Sequence, residues 1–403
     1  MQLLRRIRSQ VGLATILMVS VWITYVTPIA QAEDNKPTIN AEWKDPSSGS
    51  TYYNWSGSDG DKYSNKVIVS TNDGKWARLS EKFRSIYMDP YVSPNPMLNI
   101  NSGNATEGDL FDYLLPLYLD TTNNVAVRGQ VYRISPDEKW GLYQTLDFGA
   151  EMSSDGKTAQ NTQLHSYFIK NMTTGQIQEW KSSTQYATVY WLPDSKLLVA
   201  HYSEVANQKE ISTFDPATGK TKQLVFGKLY QYSDQEQKLV YVKNEPKRLQ
   251  WIYDLKTGKS SLLTKTEEEK LYSWKDPCPT TKAPDKLDIK TLPVIDLPIR
   301  NLYEYEVVTS HGSELVPYAF VTEGKTYIPL RPIVSKFKLS VGQREGDMYN
   351  YKYKLTGPTG QIVTLDRTNS RVFQFRLLVT PEVLEKVGLQ GVTVKPLIPA
   401  VIK

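Results

Sequence analysis

The sequence predicts a mainly β protein in which four-stranded antiparallel sheets recur and a small α+β unit follows. Three observations predict it. A Thr-Gly turn returns at Gly175, Gly219 and Gly258, each time between alternating apolar stretches. A polar turn with Asp137, Asp194 or Asp234 precedes each copy. Beyond a proline-rich stretch, a strand–turn–strand–helix pattern is written twice.

The recurring unit comes first. "SYFIKNMTTG", "ISTFDPATG" and "QWIYDLKTG" alternate apolar and polar residues up to the turn, and alternation resumes after it. Glycine takes positive φ without steric cost, so each phrase predicts a β-hairpin. Upstream lie "RISPDEKWGLYQ" (133–144), "YWLPDSKLLVAHY" (190–202) and "YQYSDQEQKLVYV" (230–242). Each predicts a strand, a turn whose Asp bonds nearby amides, and a second strand. Four strands per unit, with glycines about forty residues apart, match the period of a propeller blade. One such sheet has two apolar faces and cannot bury both alone; stacking neighbours around an axis does so. A β-sandwich built from the same hairpins is the alternative.

Further hairpins are expected before these. Residues 65–83 alternate around Asn72-Asp73-Gly74, and residues 123–134 offer another candidate. The fold class expected is therefore mainly β: a β-propeller of five to seven four-stranded blades over 33–274, with a small C-terminal α+β domain. The Pro-Asp turn followed by the Thr-Gly hairpin, visible over 130–265, resembles the propellers of the TolB and WD40-like class.

Pro277, Pro279, Pro284, Pro293 and Pro298 interrupt residues 275–299, which predicts a linker. The segment 315–341 then reads as strand, Glu323-Gly324 turn, strand and short helix, with Ile333, Val334 and Phe337 on one helical face. Residues 377–394 repeat the design. Thr380 is suited to an N-cap, Pro381 to the first turn and Gly388 to the stop, with Val383, Leu384 and Val387 as the apolar face. Two β-β-α units over 300–403 are expected. The phrase "GKTYIPLRPIVSKF" (324–337) resembles the stalk domain, also called the copper amine oxidase N-terminal-like domain. That module is common in secreted and wall-associated bacterial proteins, and the resemblance implies no copper chemistry. The second copy lacks the Pro-Leu-Arg.

Residues 1–32 have a basic start (Arg5, Arg6, Arg8), an apolar run from Val11 to Val26, and a small-residue site at Ala30 and Ala32. This predicts a signal peptide cleaved after Ala32, with a retained membrane anchor as the alternative. An extracytoplasmic protein, secreted or associated with the cell wall, is the expectation. The remainder carries a net charge of only +2, which argues against nucleic acid as partner. It contains no other long apolar segment. The single cysteine, Cys278, cannot form an internal disulfide.

Motifs for chemistry are absent from the sequence. There is no Gly-x-Ser-x-Gly elbow, and His165, His201 and His311 lack ligand spacing. Asp59, Asp61, Asp137, Asp194 and Asp234 sit in turns, and Asp59-Gly60-Asp61 lacks the remaining calcium ligands. No catalytic residue, metal or cofactor is predicted. Tyr349, Tyr351 and Tyr353 fall on one face of a strand, as a ligand-stacking ladder or as a core face. The function expected is a non-catalytic binding or scaffold protein that presents a propeller surface to a protein or a cell-envelope polysaccharide. The alternative is a secreted carbohydrate-active enzyme with carboxylates at the propeller axis.

Overall fold

The computed structural model describes residues 38–86, 115–271 and 287–403, less 46–47, 60–61, 84, 121–122, 153–158, 184, 244, 246–247, 347–349 and 374–375. The expected signal peptide with Ala30 and Ala32, Cys278, Tyr349 and residues 275–286 of the expected linker lie outside the described residues. The fold is mainly β, with three short helices among 29 strands in the described residues.

The first sheet is an antiparallel meander of β1 (Thr38–Lys44), β2 (Thr51–Asp59), β3 (Lys62–Ser70) and β4 (Trp76–Leu79). Gly74, at φ 78°, makes the β3–β4 turn as expected. Next, β5 (Leu117–Asp120) and β6 (Val125–Arg128) form a hairpin. The expected hairpin over 123–134 is thus divided. β6 pairs back to β5, whereas β7 (Arg133–Ile134) starts the next sheet. Gly129 marks the break, and a Cβ there would lie 2.8 Å from Leu302 Cβ.

The three copies read from the sequence are three four-stranded meanders. They comprise β7 with β8 (Trp140–Met152), β9 (Ala159–Asn171) and β10 (Ile177–Ser183); β11 (Thr188–Trp191), β12 (Leu197–Ser203), β13 (Gln208–Asp215) and β14 (Lys220–Phe226); and β15 (Lys228–Ser233), β16 (Lys238–Val242), β17 (Gln250–Asp254) and β18 (Lys259–Leu262). Helix α1 (Lys265–Leu271) comes next, opened by a capping box between Thr264 and Glu267.

The turns share one chemistry. Gly175, Gly219 and Gly258 have φ of 72°, 69° and 69°. Each donates its N–H to the carbonyl four residues back, on Asn171, Asp215 and Asp254, at 2.7–2.8 Å. The side-chain oxygens of those same three residues accept amides inside the turn.

The C-terminal segment supplies further strands to earlier sheets. β19 (Val294–Ile295), inside the expected linker, pairs parallel with β4. β20 (Ile299–Thr309) pairs parallel with β6 and antiparallel with β21 (Gly312–Val316) and the last strand, β29 (Thr393–Ile402). The two β-β-α units are present: β22 (Phe320–Thr322), β23 (Lys325–Pro329) and α2 (Leu330–Val334), then β27 (Ser370–Phe373), β28 (Arg376–Val379) and α3 (Pro381–Lys386). Their hairpins lie side by side and extend the β7–β10 sheet to eight strands through the parallel contact of β22 with β10. Between the units, β24 (Ser340–Val341), β25 (Tyr353–Thr356) and β26 (Ile362–Leu365) form a small antiparallel sheet.

Both faces of each repeat sheet are apolar, so cores alternate with sheets. Tyr52, Val67 and Val69 pack with Leu117, Leu119 and Ala126. Tyr305, Val307 and Val316 pack with Tyr132, Tyr143 and Phe168. Leu142, Tyr167 and Ile169 pack with Val189, Leu197 and Val199. Leu192, Leu198 and Ile211 pack with Leu239, Tyr241 and Tyr253. Neighbouring sheets thus pack face to face through shared apolar cores, as propeller blades do. The largest core joins the β7–β10 sheet to the C-terminal segment. At its centre Phe320 stacks on Phe168 at 4.4 Å and on Tyr143 at 5.6 Å.

Candidate functional site

Tyr351 and Tyr353 are 2% and 1% exposed, inside the largest core. Tyr351 Oη lies 3.1 Å from Ser370 Oγ. Rings so enclosed present no face to a ligand, so these two form the core face rather than the stacking ladder. The acids of the repeat turns are also occupied. Asp137 accepts from Ser135 Oγ at 2.6 Å and from the Lys139 amide, and these bonds hold its carboxyl below the usual range. Asp194 accepts from Lys196, and Asp234 from Tyr232 Oη. His165 and His201 sit on β9 and β12, and burial pushes both imidazoles down. His311 lies in the β20–β21 turn beside Ser310. No group of three His, Cys, Asp or Glu suited to a metal occurs among the described residues.

A buried carboxylate that the sequence did not single out is Glu304, on β20. It accepts from Lys170 Nζ at 2.5 Å and from Tyr132 Oη at 2.8 Å. Burial pushes its carboxyl up, and the Lys170 charge opposes this. Beside it, Tyr305 Oη donates to the Gly175 carbonyl at 2.7 Å and accepts the Ile177 amide. Strand β20 is thereby fastened to the Thr-Gly turn of the first repeat.

A cavity of about 280 Å³ opens where the same strand meets the two β-β-α units. Arg128, Arg331 and Arg376 line it, from β6, α2 and β28. Pairing puts Arg128 opposite both Leu117 and Asn301, at the end of a strand whose preceding residues, Val125 to Val127, are buried. Burial pushes the Arg128 guanidinium down from its usual value, and its buried Nε has no hydrogen-bond partner. Arg376 is 7% exposed, its Cζ 6.0 Å from the centre of the Tyr318 ring. Arg331 stands on the exposed side of α2, whose Leu330 and Ile333 are buried. The described walls between the guanidiniums are largely leucine, proline and tyrosine, with the amide of Asn301 among them. The described lining contains no Asp or Glu. Guanidinium groups donate hydrogen bonds and pair with carboxylates and phosphates.

Arg331 lies inside the phrase that carried the stalk-domain resemblance, yet nothing local marked it as part of a site. Arg128 and Arg376 come from strands more than two hundred residues apart. Their meeting depends on β20 reaching β6.

No protein-family model matches the chain, and no curated protein matches it. Solved structures similar to it include the β-propeller domain of the Trilobed protease from Pyrococcus furiosus, at 12% identity over 82% of this chain and 83% of that one, with a TM-score of 0.22. TolB from Acinetobacter baumannii is similar at 12% identity over 90% and 83%, with a TM-score of 0.25. An acylaminoacyl peptidase from Pyrococcus horikoshii is similar at 12% identity and a TM-score of 0.35; the match spans 83% of this chain and about half (47%) of the peptidase. No helix among the described residues is long and apolar enough to cross a membrane.

Proposed function

We propose that this is a non-catalytic extracytoplasmic binding or scaffold protein whose repeats, over 33–274, present a propeller surface, with residues 300–403 as the stalk-like part. One observation carries the reading: three arginines and no acid stand in the described lining of the cavity, while the acids of the repeat turns and core are engaged in turns or ion pairs. Recognition of an anionic group on a protein or an envelope polysaccharide suits such a lining. The basic, apolar leader supports placement outside the cytoplasm, secreted or at the wall. The enzymatic alternative needs two carboxylates about 5–9 Å apart in a cleft.

The test is a binding assay of the full chain against immobilised envelope polysaccharides and envelope proteins, run alongside chromatography of the supernatant. Retention of one partner with no fragments released is the expected result. Steady release of cleaved glycan would overturn the reading in favour of a carbohydrate-active enzyme.

A further inference from the structure

We infer that the end of the repeat sheets opposite the Asp and Thr-Gly turns is a docking face for a protein segment that sets carboxylates among apolar side chains. The inference rests on the binding reading above and names the face and the chemistry of a protein partner.

Meander order gives each repeat two ends. The Asp turn and the Thr-Gly turn fall at one; the other connection, and the passage to the next repeat, fall at the far end. Like ends lie together. At the turn end the Asp137 amide donates to Ser195 Oγ at 3.0 Å. At the far end the Gly227 amide donates to the Lys209 carbonyl at 2.8 Å, where the chain passes from β14 to β15.

The two ends expose different chemistry. Among the described residues of the three repeats, the exposed large apolar side chains are Tyr186, Val205, Phe226, Tyr230, Leu249 and Leu262. All of them stand at or near the far end. Tyr186 precedes β11, and the fully exposed Val205 lies between β12 and β13. Phe226 closes β14, Tyr230 follows two residues into β15, Leu249 precedes β17, and Leu262 closes β18. Scattered exposure would divide them about equally between the ends. The turn end instead carries the Asp137–Lys139 and Asp194–Lys196 pairs. Apolar side chains gathered at one face mark an interaction surface.

Charge identifies what docks there. The acids of the far end already face cations of this chain. Burial pushes the Lys181 ammonium down, and the charges of Glu210 and Glu204 oppose this. Glu245 lies 3.9 Å from Lys243 Nζ. Lys209, Lys228 and Arg248 are exposed at the same end, and none pairs with an acid among the described residues. Unpaired cations set among apolar side chains complement a surface with carboxylates around an apolar centre. An anionic bilayer would meet those cations too, but it would press Glu204, Glu210 and Glu245 against like charge. A polyuronate supplies charge without apolar side chains to cover Val205, Leu249 and Leu262.

Isothermal titration of the full chain tests this with a short peptide in which Leu and Phe alternate with Glu. The comparison probes are a form with Gln in place of Glu, a form with Ser in place of Leu and Phe, polygalacturonate, and phosphatidylglycerol vesicles. The acidic apolar peptide should bind at least about tenfold more tightly than either altered form, and more weakly as salt rises. Combining Lys209→Glu, Lys228→Glu and Arg248→Glu should weaken it by at least about tenfold, as should Val205→Ser with Leu249→Ser. Both variants should melt like the parent chain, since these side chains are exposed. Lys256→Glu, exposed at the turn end, should bind as the parent does. Equal affinity for the three peptides, or no binding of any, overturns the inference. So does tighter binding of polygalacturonate or of the vesicles, or folded far-end variants that bind as the parent does. If the triple variant retains an envelope protein as well as the parent does, this inference fails and the binding reading stands. Glycan cleavage would sink the binding reading but leave the titration result intact.

Discussion

The β7–β10 and β11–β14 sheets are written with the same turn phrase and have the same four-stranded order, yet they end differently. The last strand of the second, β14, begins Lys220-Thr221-Lys222-Gln223, all exposed. Lysine on an outer strand discourages further pairing. The last strand of the first, β10, begins with Ile177, which is fully buried, and its edge is taken by β22. Thr322 Oγ1 donates to Glu179 Oε2 across that join. β18 repeats the β14 ending with Lys259-Ser260-Ser261, again exposed. The first residues beyond the turn glycine therefore separate a finished sheet from one that waits for a distant partner.

That contrast can be broken or sharpened by measurement. The largest effect is expected at the join. Phe320→Ala removes the ring that stacks on both Phe168 and Tyr143, and should cost about 3–5 kcal/mol in denaturant unfolding. If the C-terminal segment were only loosely attached, the loss would be far smaller. Lys170→Met comes next. It leaves Glu304 buried beside Tyr132 alone, and about 3 kcal/mol should be lost. Adding Glu304→Leu to that variant should restore much of the loss, because no orphan charge then remains.

Smaller effects belong to the finished sheets. Val199→Ala, on β12 in the core shared with the β7–β10 sheet, should cost about 2 kcal/mol and leave the C-terminal segment protected in hydrogen exchange. Asp254→Ala removes the acceptor of two turn amides and should cost about 1 kcal/mol, whereas Asp254→Asn should be near neutral, since Asn171 already fills that role in the first copy. The same pair reports on pH. Hydrogen bonds from Thr257 and Lys256 hold the Asp254 carboxyl below its usual range. A depressed carboxyl contributes stability that is present above the ordinary carboxylate pKa and lost as pH falls through the depressed value. Melting curves from pH 7 to pH 3 should therefore drop less for Asp254→Asn than for the parent.

The parts of the fold legible in the sequence are those written locally. Alternation and a glycine at positive φ disclose a hairpin within a dozen residues, which is why the three repeats and both β-β-α units could be read with their turns. Thr380, Pro381 and Gly388 bracket α3 as expected, and Val383, Leu384 and Val387 are its buried face. The pairings β4 with β19, β6 with β20 and β10 with β22 were not legible. Each joins strands over a hundred residues apart, and each involves only a few residues, too few to leave a periodic trace. The cavity was hidden for the same reason. Its arginines are unremarkable singly, whereas the alternating Tyr351 and Tyr353 share one face that turns inward to the core.

The interleaving also bears on how the chain is made. Synthesis delivers β4, β6 and β10 before β19, β20 and β22 exist, so three strand edges wait for strands more than a hundred residues further on. The β11–β18 strands pair only among themselves and can settle as they emerge, whereas the edges of β4, β6 and β10 are completed only by strands beyond residue 290. Loss of the strands beyond residue 290 would not trim an appendage from this molecule; it would leave the edges of β4, β6 and β10 unfinished.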